Sequence, residues 1–263
     1  MSHGFGAALK VDDGKPRLPG SLHLNRRLSQ WLHFRADGVV EVKPGKVELG
    51  QGILTTLAQI AADELDVALE RIRVVSVVTP ESPDEAVTSG SLSVQDSGSA
   101  IRHASADARR IFLSVAAQRS GVAFETITVQ DGDFIGPQGK IGSYWQFADA
   151  GLLEVEASPE ARAKPVAARR LVGVSAPRRD LPGKLQGAPA YVHDLRLPGM
   201  LHARIVRPPS AGSTALSVEQ NSLRGLRGVQ VSTRYGDMEL GDSRLRPFWE
   251  AAQALDAVVY IHP

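Results

Sequence analysis

The sequence predicts an α+β fold, and three observations lead to this prediction. A hairpin signal comes first, because Asp37-Gly38 separates two β-prone runs within residues 30–42. Residues 53–65 follow with apolar side chains at helical spacing. Residues 73–78 then form a β-prone run bounded by prolines. This hairpin–helix–strand order is typical of domains in which helices pack against a small sheet.

Length and composition are those of a folded globular chain. The 263 residues suffice for one large domain or two ordinary ones. A content of 43% hydrophobic and 22% charged residues excludes a disordered or fibrous protein. The formal net charge is +1, so neither nucleic acid nor an anionic membrane is expected as a partner. Cysteine is absent, which excludes disulfides, thiolate metal sites and iron–sulfur clusters within this chain.

The sequence also bears on location. No apolar run approaches the length of a membrane span. The N-terminus lacks the cationic start and apolar core of a secretory signal. We therefore expect a cytoplasmic protein, or a periplasmic one if a partner subunit carries the export signal.

The other elements of the first half follow local signals. The chain opens on Gly-, Pro- and Arg-rich sequence without periodicity, and an extended arm is predicted at residues 1–17. Residues 100–115 carry the longest helical stripe of apolar side chains. Gly-rich turns between short β-prone runs predict small hairpins at residues 124–141. A short helix is predicted at residues 144–150.

A change in composition divides the chain. Pro, Ala and Arg dominate residues 161–186, which predicts a linker, and we interpret Arg178-Arg179 within it as solvated. A second unit begins at Gly187. Its predicted elements are strands at residues 201–206, 228–231 and 257–261, and helices at residues 216–226 and 246–256.

The first candidate site is a glycine-rich turn. Gly50-Gln51-Gly52 directly precedes the helix predicted at residues 53–65. Backbone N–H groups at a helix N-terminus, without bulky side chains nearby, can bind phosphate or another oxyanion. The alternative is an ordinary tight turn with Gln51 solvated, because short glycine motifs recur by chance.

The second candidate site precedes the next helix. Residues 88–98 are rich in Gly and Ser, and Ser91 and Ser93 are suited to donating hydrogen bonds. The alternative is a simple helix start, with Asp96 as its N-cap. Two such turns in this order predict a ligand with more than one anionic or polar end.

Other polar residues suggest no further chemistry. The seven histidines are scattered without metal-ligand spacing, so no metal site is predicted. No Gly-x-Ser-x-Gly motif is present, and no catalytic residue is assigned. Asp63, Glu64 and Asp66 crowd the end of the first helix. We interpret them as a solvated face, and the alternative is that they pair with Arg71 and Arg73.

Five motifs point to one family. They are PGKVELGQG at residues 44–52, AQIAADELD at 58–66, TSGSLSVQDSG at 88–98, RDLPGK at 179–184 and YVHDLRLPGMLHAR at 191–204. They resemble the molybdenum-binding large subunits of the xanthine dehydrogenase and aldehyde oxidase family, in the branch of isoquinoline 1-oxidoreductase and nicotinate dehydrogenase β-type subunits. This resemblance implies a partial molybdopterin-binding-type domain at residues 18–160 and a partial α/β hammerhead-like domain at residues 187–232.

The resemblance also implies a cofactor and a reaction. In this family the Gly-Gln-Gly loop and the Ser-x-Ser turn hold a molybdenum–pterin cofactor, expected in its cytosine dinucleotide form. Carried over by position, Gly50, Gln51, Gly52, Ser91 and Ser93 are the implied cofactor contacts. The family hydroxylates N-heteroaromatics or oxidises aldehydes with water as the oxygen source. An iron–sulfur small subunit is the expected partner that accepts the electrons.

Residues 233–263 depart from this pattern. They resemble a fragment of an amidohydrolase-type decarboxylase, in which a strand-end histidine corresponding to His262 binds metal. Zinc needs about three or four protein ligands, so one histidine predicts no site. The family's large subunits are longer and carry a catalytic glutamate on a C-terminal loop that has no counterpart here. The sequence thus predicts a partial molybdenum hydroxylase subunit, incomplete and inactive alone. The alternatives are a non-catalytic binding or assembly module and, with less support, a metal-dependent amidohydrolase-like fragment.

Overall fold

A computed structural model describes residues 14–189, 191–202, 210, 225 and 227–262. The chain divides into two compact units, Met1–Ala188 and Pro189–Pro263. The predicted mixture of helices and strands is confirmed. None of the helices in the described residues is long and apolar enough to cross a membrane.

The first unit contains three α-helices and six strands among its described residues. In chain order they are β1 (Leu32–Phe34), β2 (Val40–Val42), α1 (Ile53–Leu65), β3 (Ile72–Val74), α2 (Ser99–Ser120), β4 (Thr128–Gln130), β5 (Asp133–Gly136), β6 (Gly139–Ser143) and α3 (Leu181–Leu185). A π-helical turn, Val94–Gly98, leads directly into α2. The predicted helix at residues 53–65 and the hairpins between residues 124 and 141 are confirmed.

One small sheet organises this unit. Strands β1 and β2 form the predicted antiparallel hairpin, which turns through Gly38 at a φ of +89°. Strands β2 and β3 run parallel, with Val40 opposite Ile72, and α1 is the crossover between them. Parallel neighbours need such a long connection. The strand predicted at residues 73–78 is shorter than expected, because the partner strand β2 ends at Val42.

Parallel pairing brings two loops to one edge of the sheet. The first loop, residues 43–52, leaves the carboxyl end of β2, and the second loop, residues 75–93, leaves the carboxyl end of β3. In open α/β arrangements this edge is where ligands commonly bind. Both candidate turns of the sequence lie in or beside these loops.

The core centres on a group of fully buried aromatic rings. The ring of Tyr144 lies 4.8 Å from Phe34, 5.2 Å from Phe112 and 4.9 Å from Phe134, measured between centroids. Tilted and edge-on pairs at such distances are favourable beyond the area they bury. The Tyr144 hydroxyl donates to the Leu65 carbonyl at 3.1 Å, and burial raises the pKa of this phenol far above its ordinary value. The cluster thereby joins β1, α2 and the end of α1.

A polar stripe on α1 holds a distant part of the chain. Thr55, Gln59 and Asp63 stand four residues apart, so they share one helix face. The Asp63 carboxylate accepts three backbone N–H groups from residues 170–172, at 2.8, 3.3 and 3.1 Å. We call residues 164–180 the α1 strap. It runs along the helix from the C-terminal end of α1 to its N-terminal end.

Two further residues of the stripe complete this attachment. The Gln59 amide nitrogen donates to the carbonyls of Leu171 and Val174, both at 2.9 Å. The Thr55 hydroxyl accepts the backbone N–H of Arg179 at 3.0 Å. The segment predicted as a linker thus includes the strap, which packs on the first unit. The predicted domain boundaries themselves stay a prediction.

The interpretation of the α1 acids as a solvated face is wrong. Asp63 is 3% exposed and Glu64 is fully buried. Glu64 pairs with Arg102 at 2.8 Å and accepts the backbone N–H of Lys164 at 3.0 Å. Asp66 accepts from the Lys164 ammonium at 2.5 Å. Local spacing could not reveal this, because the strap that covers these acids lies about a hundred residues later.

The second unit is a smaller set of elements. They are β7 (Gly228–Ser232), β8 (Arg234–Tyr235), β9 (Met238–Glu239), α4 (Arg246–Ala254) and β10 (Val258–His262), with β7 and β10 parallel and β8–β9 a hairpin. The helix predicted at residues 246–256 and the strands predicted at 228–231 and 257–261 are confirmed to within two residues. The helix predicted at 216–226, apart from Gly225, and most of the strand predicted at 201–206 lie outside the described residues, as does the His262 side chain. The hammerhead-like and amidohydrolase-like assignments stay predictions.

Asp63→Asn is expected to loosen the strap, because an amide offers one accepting oxygen where this carboxylate uses two. The expected loss is about 1–3 kcal/mol in the free energy of unfolding, the cost of leaving buried N–H groups unpaired. Trypsin should then cleave faster after Arg169 and Arg170. Asp149→Asn changes an exposed carboxylate and is the matched control. Equal cleavage rates in the wild type and Asp63→Asn would contradict the role of the strap.

Candidate functional site

The two loops are joined at their bases. The Gly45 N–H donates to the Glu85 carboxylate at 2.6 Å, and the Ser97 hydroxyl donates to the same oxygen at 2.6 Å. A Cβ atom at Gly45 would lie 2.1 Å from the Pro83 carbonyl oxygen, so only glycine allows this approach. The loops therefore meet where the parallel strands end.

A buried lysine strengthens the junction. Lys46 is 2% exposed, and its ammonium donates to the carbonyls of Glu85 at 2.7 Å and Val87 at 2.9 Å. The same nitrogen lies 3.4 Å from the Asp96 carboxylate. An ammonium has three donors, so these three partners saturate it. Lys46 thus holds the two loops together, and the two carbonyls and the Asp96 carboxylate compensate its positive charge.

The start of α1 contains an internal anion. One oxygen of the Glu48 carboxylate accepts the N–H groups of Gly50 at 2.8 Å and Gly52 at 2.9 Å, and the other accepts that of Leu54 at 3.3 Å. A carboxylate at a helix N-terminus is favourable because it satisfies unpaired donors and complements the helix dipole. The N–H groups that the sequence suggested for an external oxyanion are therefore occupied by Glu48.

Gln51 lies at the tip of the first loop. Its side chain is exposed and folds back, since its oxygen accepts the N–H of Leu49 at 2.5 Å and its nitrogen donates to the Val47 carbonyl at 3.0 Å. Gly50 and Gly52 flank it with φ angles of +107° and +80°, which favour glycine. Gln51 can reach a ligand by exchanging these two local hydrogen bonds.

The second loop presents hydroxyl groups. Ser91 is exposed at a φ of +57°, and Ser93 is half-buried directly before the π-helical turn. Neither hydroxyl has a hydrogen-bond partner among the residues that the structure describes. The alternative that Asp96 caps the helix is wrong, because Asp96 lies inside the π-helical turn and contacts Lys46. Both serines thus remain available as donors.

Two arginines near the first loop were not anticipated. Arg178 donates to the Gly50 carbonyl at 2.9 Å, and Arg179 donates to the carbonyls of Ile72 at 2.5 Å and Leu69. Arg179 is exposed and Arg178 keeps 35% of its side chain exposed, so the pair is solvated as predicted, but both side chains also bind backbone carbonyls. The strap carries both arginines to the start of α1, and no local pattern in the sequence indicates that path.

Asp180 orients the first of these arginines. Its carboxylate accepts two bonds from Arg178, at 3.0 and 2.6 Å, and one from Lys184 at 2.5 Å. Hydrogen bonds from Arg178, and next from Lys184, hold the pKa of Asp180 well below its usual range. A carboxyl group whose pKa is lower in the folded than in the unfolded state stabilises the fold at pH values above its unfolded-state pKa. This stabilisation is lost as the pH falls through the folded-state pKa.

The described residues contain no group of three or more His, Asp or Glu side chains that could hold a metal ion. What the two loops do offer is a set of hydrogen-bond donors. Gln51, Ser91 and Ser93 provide an amide and two hydroxyls, whereas the Gly50 and Gly52 N–H groups are already bound to Glu48. Such a set suits a polar organic ligand better than a directly bound ion.

Comparison with known proteins identifies the family. The sequence pattern of the molybdopterin cofactor-binding domain matches residues 3–171. The chain belongs to this family. It is 38% identical over 212 residues to a nicotinate dehydrogenase chain of Pseudomonas putida, covering 78% of this chain and 18% of that protein. It is 26% identical over 239 residues to the β chain of isoquinoline 1-oxidoreductase from Brevundimonas diminuta, covering 76% and 31%.

A solved structure is also similar in part. Carbon monoxide dehydrogenase from Oligotropha carboxidovorans aligns with a TM-score of 0.38 at 26% identity, covering 46% of this chain and 15% of that one. Aldehyde oxidases and a xanthine dehydrogenase match over 28% of the chain. The predicted membership of the xanthine dehydrogenase and aldehyde oxidase group of molybdopterin oxidoreductases is confirmed. The chain spans less than a third of the length of the two relatives named above.

Gly52→Ala is expected to cost more free energy of unfolding than Gly151→Ala. Both glycines have left-handed φ angles, +80° and +64°, so each alanine introduces about 1–2 kcal/mol of backbone strain. Only at Gly52 would the new Cβ meet a neighbour, 3.2 Å from Arg178 Nε, whereas no described atom lies within 4 Å at Gly151. Urea denaturation of both variants measures the difference. Equal losses would show that Arg178 does not pack tightly on the loop.

Proposed function

We propose that this chain is the cofactor-binding N-terminal portion of a molybdenum hydroxylase subunit, with the two loops as the binding site for a molybdenum–pterin cofactor. One observation carries the proposal. The two loops suggested by sequence lie at the same edge of a parallel strand pair and are fastened by Lys46.

Each site residue has a distinct proposed role. Gln51, Ser91 and Ser93 donate hydrogen bonds to the pterin and its dinucleotide tail. Exposed Gly50 allows the backbone to approach the cofactor, and buried Gly52 supplies the positive φ angle of the turn; Glu48 keeps both N–H groups in place. The first loop thus recognises the cofactor mainly through the Gln51 amide, and the second loop through its hydroxyls. The tail is proposed to be the cytosine dinucleotide form.

The proposed reaction class follows from the relatives. Their names specify nicotinate and isoquinoline, which are N-heteroaromatic compounds. When bound, the molybdenum centre supplies the chemistry for hydroxylating such rings, or for oxidising aldehydes, with oxygen from water. The electrons are proposed to pass to an iron–sulfur small subunit. Residues 1–263 contain no cysteine, so they hold no iron–sulfur cluster themselves.

Molybdenum content tests the proposal directly. The chain is purified from a host that makes the cofactor, and molybdenum is measured by elemental analysis. A redox-dye assay with nicotinate and an aromatic aldehyde accompanies it. We expect retained molybdenum without turnover, since no catalytic residue is assigned in this chain. A metal-free chain that still binds an iron–sulfur partner would favour the alternative of a non-catalytic assembly module.

Gln51→Ala is expected to weaken cofactor binding by about 1–3 kcal/mol, because a polar group of the cofactor would lose its partner. The measurement is the molybdenum retained per chain after gel filtration. Gln130→Ala, at an exposed glutamine on β4, is the matched control. The thermal unfolding temperature of both variants shows whether loss of the two local hydrogen bonds of Gln51 destabilises the chain itself. Unchanged retention in Gln51→Ala would remove Gln51 from the site.

A further inference from the structure

Arg178 lies at the end of the α1 strap, against the first loop, and none of the proposed cofactor contacts uses it. Its guanidinium binds Asp180 through two nitrogens, at 3.0 and 2.6 Å, and Asp180 also accepts from Lys184. A bidentate pair of this kind fixes the plane of the guanidinium. The Nη2 group that also donates to the Gly50 carbonyl, at 2.9 Å, is therefore already oriented.

The contact fixes a particular peptide group. The Gly50 carbonyl belongs to the peptide bond between Gly50 and Gln51, so its direction sets the direction in which Gln51 leaves the loop. Gly50 has a φ of +107°, and with no side chain its own sterics restrict the backbone little. Glu48 holds the Gly50 N–H and Arg178 holds the Gly50 carbonyl. The two tethers together define the peptide orientation.

The packing supports the same role. A Cβ atom at Gly52 would lie 3.2–3.5 Å from three side-chain atoms of Arg178, so the arginine covers the loop closely. The Arg178 side chain nevertheless keeps 35% of its surface exposed. Its replacement should therefore loosen the loop without opening a cavity in the core.

We propose that Arg178, oriented by Asp180, is a positioning residue that holds the Gly50–Gln51 peptide so that Gln51 can face the cofactor. The inference rests on the proposed function of the first loop. Arg178 itself touches the loop backbone, and it acts on the cofactor only through Gln51.

Hydrogen exchange of the full chain, resolved to single amides, tests the first step. The amides of Gly50 and Gly52 are compared in the wild type, Arg178→Met and Asp180→Asn. We expect Arg178→Met to speed their exchange about ten-fold, as for the loss of one hydrogen bond that holds the loop closed. Asp180→Asn should act in the same direction. Arg162→Met changes an exposed arginine just before the strap and should have no effect.

The exchange rates of the strap amides show whether Arg178 positions the first loop or stabilises the whole unit. Those of residues 170–172 are held by Asp63 and should keep their protection in Arg178→Met. Unchanged exchange at Gly50 and Gly52 would overturn the proposal. An equal rise in the strap and in α2 would also overturn it, because Arg178 would then be a general stabiliser.

Molybdenum retained by the same preparations tests the second step. A lower content in Arg178→Met and Asp180→Asn, with no change in Arg162→Met, supports positioning toward the cofactor. Loosened loop amides with unchanged retention would overturn that step. A wild-type chain that retains no molybdenum would instead defeat the proposed function, and the exchange data would still decide whether Arg178 positions the loop.

Discussion

Parallel pairing of β2 with β3 is the constraint on which the rest of the first unit depends. Two parallel neighbours cannot be joined by a tight turn, so α1 must cross between them. The pairing also directs both following loops to the same sheet edge. Only this geometry allows Lys46 to bind the carbonyls of the second loop and Gly45 to approach Pro83 closely. An antiparallel β3 would send the second loop to the opposite edge.

Burial of charge in this unit is tolerated because the charged groups are extensively hydrogen-bonded. An ammonium or carboxylate removed from water is costly unless partners replace its hydration. Lys46 has three acceptors, and Asp63 receives three backbone N–H groups. Glu85 and Arg169 are exceptions, since one Glu85 carboxylate oxygen, Oε1, and the Arg169 Nε are buried without a partner among the described residues. The Glu85 oxygen lies at the junction of the loops.

Local sequence signals were sufficient for much of the fold and for part of the site. The hairpin through Gly38 and the helix at residues 53–65 follow from turn chemistry and apolar spacing, which act over a few residues. The position of the two glycine- and serine-rich turns was predicted as well. The binding of the Glu48 carboxylate to the N–H groups at the start of α1 was not predicted, because a carboxylate two residues before a glycine loop also fits a solvated side chain.

Contacts between distant parts of the chain could not be predicted from such local signals. Thr55, Gln59 and Asp63 do form a visible stripe, but their partners are backbone groups of the strap, and a backbone N–H has no signature in the sequence. The same limit applies to Arg178, whose acceptor is the carbonyl of Gly50.

The charges of α1 explain why the strap follows the helix. Asp63 and Glu64 stand near the C-terminal end, where the helix dipole disfavours negative charge. Strap N–H groups at Asp63, and Arg102 and Lys164 at Glu64, offset that cost. Once attached there, the strap continues to the N-terminal end and brings Arg178 to the candidate site. One chain segment thus neutralises an unfavourable helix end and supplies a tether to the loop at the other end.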